Sequence, residues 1–326
     1  MISVGGKKFF TIFIIIAISS IFLGFFFDED LSTGGARFDF DLTWGVVRDF
    51  SNYNFTDYSQ YTRHVPLHYL LMSFIYNIVN DKYFLRLIYL ILSLTLPLLL
   101  FLNLQKIYNY PKEILLFFSF SLLYFPFFRA MAIWPNAHLT ATFFFLLSNY
   151  FYLKGSMKNN SIYKFLNLLF LAFATYSMQT YVFLFIYYLA SYFLNQPRKI
   201  FIQLFLFCIL IGLPGLYLLG INTRISNEIT ISKNLFNYIA IDFSIFLFFL
   251  LFFINNKNFS ILKKRIFKLS KIEVVLLFAL FFCTIYYFDY SQVVGGGFFY
   301  KLSHLLLKNN FLFFLSFFLG LFLCYL

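Results

Sequence analysis

Charge is scarce in this chain, and negative charge is scarcest. Asp, Glu, Lys and Arg make up 12% of its 326 residues, and only 13 residues are acids. Soluble domains carry ~25% charged residues, so an ordinary water-exposed globule is excluded. Cysteine is scarce too. Cys208, Cys283 and Cys324 each sit inside an apolar run with no CxxC spacing, which excludes a disulfide framework and a thiolate metal site. The first apolar run follows Lys7 and Lys8 but ends in Phe25, Phe26 and Phe27, with no small-residue cleavage site. It reads as an uncleaved helix rather than a signal peptide. No internal repeat is present.

What fills the chain is apolar and aromatic. Hydrophobic residues make up 61% of it and aromatic residues 25%, and the mean hydropathy is +0.80. Repeated apolar runs near the ~20-residue spanning length predict an all-α polytopic membrane protein, a single transmembrane domain over 1–326. Membrane helices are expected at about 9–27, 84–104, 113–128, 138–153, 162–177, 180–195, 199–220, 235–254, 273–288 and 310–326. The stretch 65–79 is apolar but falls short of the ~17 residues needed to span.

The basic residues decide how 65–79 is treated. With the N-terminus inside and 65–79 lying in the interface, fifteen of the 25 Lys and Arg residues fall in inner loops. If 65–79 spanned, the basic runs 154–164 and 257–271 would face out, against the positive-inside bias. The net charge of +12 therefore reads as topology, not as a nucleic-acid surface. The first outer loop is then long, 28–83, with 65–79 and 40–50 as interfacial helices and Trp44 as an anchor. The second outer loop, 129–137, is short, with Pro126 and Pro135 stopping the flanking helices. The last, 289–309, holds Gly295, Gly296 and Gly297 before an amphipathic piece. The final apolar run is short and lacks a polar inner tail, and the sequence leaves open whether the C-terminus is truncated.

These three outer segments hold most of the residues suited to chemistry. The first has Asp28, Glu29, Asp30, Asp39 and Asp41, then Arg63, His64 and His68. The second has Arg129, Trp134, Asn136 and His138, and the third has Asp289, Tyr300, Lys301 and His304. Carboxylates can take a proton from a hydroxyl, and Arg or Lys can hold a phosphate as it gains charge. Asp28 and Glu29 read first as solvated markers of a helix end. Asp39 follows Gly34 and Gly35 and lies between Phe38 and Phe40, an unusual place for a merely solvated acid; Asp41 is the fallback. Arg63 and His64 are either snorkelling interfacial residues or substrate ligands. His64 and His68 have i,i+4 spacing but no third ligand, so no metal site is expected. Arg129 at membrane depth calls for function or for pairing with a first-loop acid. His138 is either a polar cap or a ligand, and Trp134 either a belt residue or a stacking platform.

The order of these features resembles a known family. An inner N-terminal helix leads to an acidic outer loop, then His64, Val65, Pro66, Leu67, His68 and Tyr69, then an Arg-led helix at Leu85, Arg86 and Leu87, then a short outer loop at Arg129. Over about residues 1–195 this resembles the GT-C superfamily of polyprenyl-phosphate-sugar glycosyltransferases, with the protein O-mannosyltransferases and lipid A aminoarabinose transferases as relatives. The resemblance implies a bundle of about ten membrane helices and a first-loop Asp as base. That role falls on Asp39, with Asp30 or Asp28 as rivals, since many members open the loop with the Asp-Glu pair that Asp28 and Glu29 match. The second-loop acid of many members is absent here, which points to metal-independent base catalysis. Arg63, His64, Arg129, Trp134, Asn136, His138, Tyr300 and Lys301 become candidate substrate ligands. No cofactor is implied beyond a lipid-phosphate-linked sugar as donor. The expected partners are membrane lipid, an isoprenoid-phosphate sugar and a glycan, lipid or protein acceptor, at the outer face of a bacterial inner membrane. A transporter or flippase of lipid-linked intermediates, or a non-catalytic scaffold of the same fold, is the alternative.

Overall fold

The computed structural model describes residues 4–32, 34–54, 65–158, 160–221, 235–251, 269–289 and 297–325. These residues are 87% helical and contain no strand. The chain forms two compact units, Met1–Glu228 and Ile229–Leu326.

The first unit begins with α1 (Val4–Phe26), followed by α2 (Gly35–Ser51) and α3 (Leu67–Val79) in the region expected to be interfacial. Next come α4 (Lys82–Ser93) and α5 (Thr95–Ile107), separated by Leu94 alone. Pro97 has no N–H to offer the Ser93 carbonyl, which explains the break. α6 (Lys112–Phe120) tightens into a 3₁₀ turn at Ser121–Tyr124 before α7 (Pro126–Ile133). Then follow α8 (Ala137–Lys158), α9 (Ser161–Ser177), α10 (Phe183–Asn195) and α11 (Arg198–Ile221).

Two expectations change here. The run 113–128 is not one helix, because α7 departs by 65° from the segment before it. Pro126 restricts Phe125 to extended backbone, φ −69° and ψ 124°, and then starts a new helix at its first position. The segment from Arg129 is accordingly not a loop. Arg129 to Ile133 are helical, and only Trp134, Pro135 and Asn136 are not.

Among the described residues, three helical stretches are long and apolar enough to cross a membrane: Phe9–Phe26, Lys82–Ile107 and Arg198–Leu216. The bent pair Lys112–Tyr124 and Pro126–Ile133 makes a fourth if taken as one broken span. Large apolar side chains such as Leu210, Leu213 and Leu216 stand exposed along α11, as a lipid-facing surface requires. Between helices, lipid is as apolar as Leu, so packing and polar contacts set the association. Asn167 on α9 donates from its amide to the Ser148 carbonyl at 3.0 Å and the Ser148 hydroxyl at 2.8 Å on α8. The Tyr192 hydroxyl of α10 donates to the Asn167 side-chain oxygen at 2.9 Å. In α11, which contains Pro214, the Tyr176 hydroxyl accepts from Gly215 N–H at 2.9 Å and donates to the Ile211 carbonyl, so it fills the interrupted helical ladder.

The second unit consists of α12 (Leu235–Leu251), α13 (Lys271–Tyr287), α14 (Gly297–Leu307) and α15 (Phe311–Tyr325) among the described residues. α13 opens with a capping box of Ser270 and Glu273. Gly320 lets α15 meet α12 closely, since a Cβ there would lie 1.8 Å from the Phe243 carbonyl oxygen.

Candidate functional site

The site is built where α1 ends. Asp28 takes φ 51°, a left-handed value that Asp tolerates better than most residues, and turns the chain back across the helix end. That turn sends the carboxylates of Asp28 and Glu29 toward two different arginines. Glu29 receives Arg129 in a fork, with Nε to Oε1 and Nη2 to Oε2 both at 2.7 Å. Arg129 also donates to the Ser20 hydroxyl at 2.7 Å and the Ser20 carbonyl at 3.0 Å, which ties α7 to α1. Gly24 makes this approach possible. A Cβ on it would fall 2.6 Å from Glu29 Oε2 and 3.0 Å from Arg129 Nη2.

Arg86 lies on α4 and is buried, with a side chain 8% exposed. Its Nη2 donates to Asp28 at 2.8 Å and its Nε to the Ile133 carbonyl at 3.2 Å. Its guanidinium stands 3.6 Å from the centre of the Trp134 ring, and the Arg37 guanidinium stands 5.1 Å from the same ring. Trp134 is fixed in turn by donating its indole N–H to the Glu29 carbonyl at 3.0 Å. Asp28 differs from Glu29 in one decisive way: half of its side chain, 50%, remains exposed, against 25% for Glu29.

The other predicted acids fall elsewhere. Asp30 caps α2. Its carboxylate accepts from the Ser32 hydroxyl, from Ser32 N–H at 2.9 Å and from Arg37 N–H at 2.8 Å. Partial burial acts to raise its pKa, but these hydrogen bonds prevail and hold the carboxyl below the usual carboxylate range. Gly34 takes a positive φ, 91°, just before α2, and Asp39 lies within that helix on its exposed side. Asp41 pairs with Lys82 at 2.6 Å, and the Lys82 ammonium stands about 5 Å from the Phe40 and Trp44 rings.

Asn136 and His138 belong to a neighbouring buried network. Asn136 Oδ1 accepts from His138 N–H at 2.9 Å, and the Asn136 carbonyl accepts from the Tyr89 hydroxyl at 2.8 Å. Tyr89 and His68 both meet the Thr140 hydroxyl, at 3.1 and 2.8 Å. Next to this network an apolar cleft of about 310 Å³ opens between α3, α4, α5 and α8, bordered by Met72, Tyr89, Ser93, Leu96, Thr140 and Phe144 among others. Arg63 and His64 lie outside the described residues. Tyr300 and Lys301 belong to the second unit, where Tyr300 packs on Phe313 with ring centres 5.6 Å apart and Lys301 is exposed. Among the described residues, no three His, Cys, Asp or Glu side chains converge as a metal-ligand set.

Sequence reasoning missed Arg86, Arg37 and Gly24. Arg86 did carry a signal, an arginine inside the apolar run from Lys82 to Ser93. Gly24 carried none, because its importance depends on what α7 brings against it. Comparison with protein-family models, curated proteins and solved structures finds no match to this chain.

Proposed function

We propose that the chain is a membrane glycosyltransferase. It moves a sugar from a polyprenyl-phosphate donor to an acceptor hydroxyl at the outer face of a bacterial inner membrane, on a GT-C-like bundle of about ten membrane helices with a cytoplasmic N-terminus. The observation that carries this reading is Asp28: a half-exposed carboxylate just past a membrane helix, held by the buried Arg86 beside Trp134. Non-glycine residues in left-handed conformations gather at functional sites, and Asp28 is one.

In this reading Asp28, rather than Asp39, takes the proton of the acceptor hydroxyl. The freed oxygen bonds to the anomeric carbon of the donor sugar as the bond from that carbon to the phosphate oxygen breaks. The electron pair leaves with polyprenyl phosphate, and the proton passes from Asp28 to water. Arg37 and Lys82 reach the surface and share Asp41, at 3.9 and 2.6 Å, and are the cations that would turn from that acid to the leaving phosphate. Arg129 is already engaged by Glu29 and Ser20, so it positions the loop instead. The apolar cleft beside Tyr89 suits the first isoprene units of the donor. Tyr300 and Lys301 lie on the second unit, and the reading rests on the first unit alone.

The test is a transfer assay in membranes supplied with a panel of labelled lipid-linked sugars. Asp28→Asn should lower transfer by about 100-fold or more, the loss expected for a general base, while Asp39→Asn stays near wild type. Undiminished transfer by Asp28→Asn would overturn the assignment. Movement of the labelled lipid across the bilayer without transfer would favour a flippase.

A further inference from the structure

At the opposite end of the first unit, α5, α8 and α9 bring cations together where acids are nearly absent. Lys106 at the end of α5 and Lys154 near the end of α8 stand over the same ring, that of Tyr150, at 5.1 and 5.6 Å. Lys154 also stands 4.6 Å from the Tyr163 ring at the start of α9. All four side chains are partly exposed. Among the described residues of this unit, every acid except Glu113 belongs to the segment 28–81, and neither lysine has a carboxylate in ion-pair range. Gly155 lets α9 start close against α8, since its Cβ would meet Tyr163 at 3.3 Å.

Below the lysines runs a ribbon of stacked, partly exposed rings. Phe151 lies parallel to Tyr163 at 6.1 Å and to Phe170 at 5.4 Å, and Phe170 in turn stacks on Phe144 at 6.4 Å. Phe144 and Lys154 are ten residues apart on α8. At 1.5 Å per residue that is ~15 Å, half of a ~30 Å hydrocarbon core.

We propose that this face binds an anionic phospholipid of the inner leaflet. Lys106 and Lys154 hold its phosphate, and an acyl chain lies along Phe151, Phe170 and Phe144. Charge complementarity and the length of the ribbon argue for this occupant: a cation pair sits at headgroup level with an apolar track one leaflet deep beneath it. The inference rests on the membrane topology of the proposed function and not on the transfer reaction.

The test uses the full-length protein purified in detergent and titrated with phosphatidylglycerol, phosphatidylcholine or inorganic phosphate, with bound lipid counted by native mass spectrometry. Phosphatidylglycerol should bind in preference to the other two, and each lysine replaced in Lys106→Gln and Lys154→Gln should weaken it about fivefold. The paired Lys106→Arg and Lys154→Arg variant should keep binding. Lys112→Gln with Lys199→Gln, which removes two exposed charges from the same end, should change it little. Equal binding by the Lys106→Gln/Lys154→Gln protein, an equal loss in the Lys112/Lys199 control, or full competition by inorganic phosphate would overturn the proposal. Asp28→Asn should bind phosphatidylglycerol as wild type does. Absence of transfer with this binding intact overturns the transferase reading and leaves the lipid site standing.

Discussion

The Arg86 guanidinium stands 3.6 Å from the centre of the Trp134 ring. This contact joins α4 to the residue that ends α7, and it leaves Arg86 free to hold Asp28 from below. A planar cation is needed for both tasks. Arg86→Lys keeps the charge but loses the stack and the second donor, from Nε to the Ile133 carbonyl. It should lower stability by about 1–3 kcal/mol, read as a drop in the thermal midpoint of the detergent-solubilised protein. Trp134→Phe, which keeps a ring but not the indole donor to Glu29, should cost less.

Glu29 and Arg129 form the more buried ion pair of the site. Removing one partner leaves a charge in a low-dielectric setting, so Glu29→Ala should destabilise by about 3–5 kcal/mol. Replacing both, as Glu29→Ala with Arg129→Met, should recover much of that loss. A double-mutant cycle on unfolding midpoints checks this, and additive effects would show that the two residues are not coupled.

Gly24 and Gly212 test the same substitution in opposite surroundings. Both are helical glycines, where alanine ordinarily gains about 0.5–1 kcal/mol. Gly212 has open space around it, so Gly212→Ala should stabilise. Gly24→Ala should destabilise, because its methyl group would displace Glu29 Oε2 from a distance of 2.6 Å. Opposite signs of the midpoint shift are the expected result.

Asp30 gives a dependence on pH. Its folded pKa lies below the ordinary value of 3.8. A depressed pKa means that the folded state binds the proton less readily than the unfolded chain does. The stabilisation is therefore complete above the ordinary value and is lost as the pH falls through the lowered one. Asp30→Ala should lower stability at neutral pH by about 1 kcal/mol, as loss of a helix cap does. It should also flatten the acid limb of a plot of midpoint against pH.

Much of the helix plan was legible because apolar run length is a strong signal. The short helices expected at 65–79 and within 40–50 correspond to α3 and α2. The run 113–128 misled because its composition stays apolar through Phe125 and Pro126, where only backbone restriction turns the chain. In the site, the acids stood out by rarity, and the pairing of Arg129 with a first-loop acid followed from the cost of a lone cation. Which acid would do what could not be read along the chain. Asp30 became a cap through Ser32 and Arg37, and Asp28 gained its partner from Arg86, 58 residues away. Asp39 looked embedded between two phenylalanines, but helical spacing buries Phe40 and leaves Asp39 and Phe38 outside.

The clamp of Ser20, Gly24 and Glu29 around Arg129 also changes what α1 is. An N-terminal membrane helix is commonly treated as an interchangeable anchor, to be swapped for another or trimmed during expression. Here its last turns supply the carbonyl, the hydroxyl and the bare backbone that accommodate a cation from α7. A chimera carrying an unrelated helix of equal length and hydropathy would still be anchored, yet Arg129 would lose two of its partners and the seat that admits its fork. The first helix is thus a component of the site, and chimeras should keep it intact through Glu29.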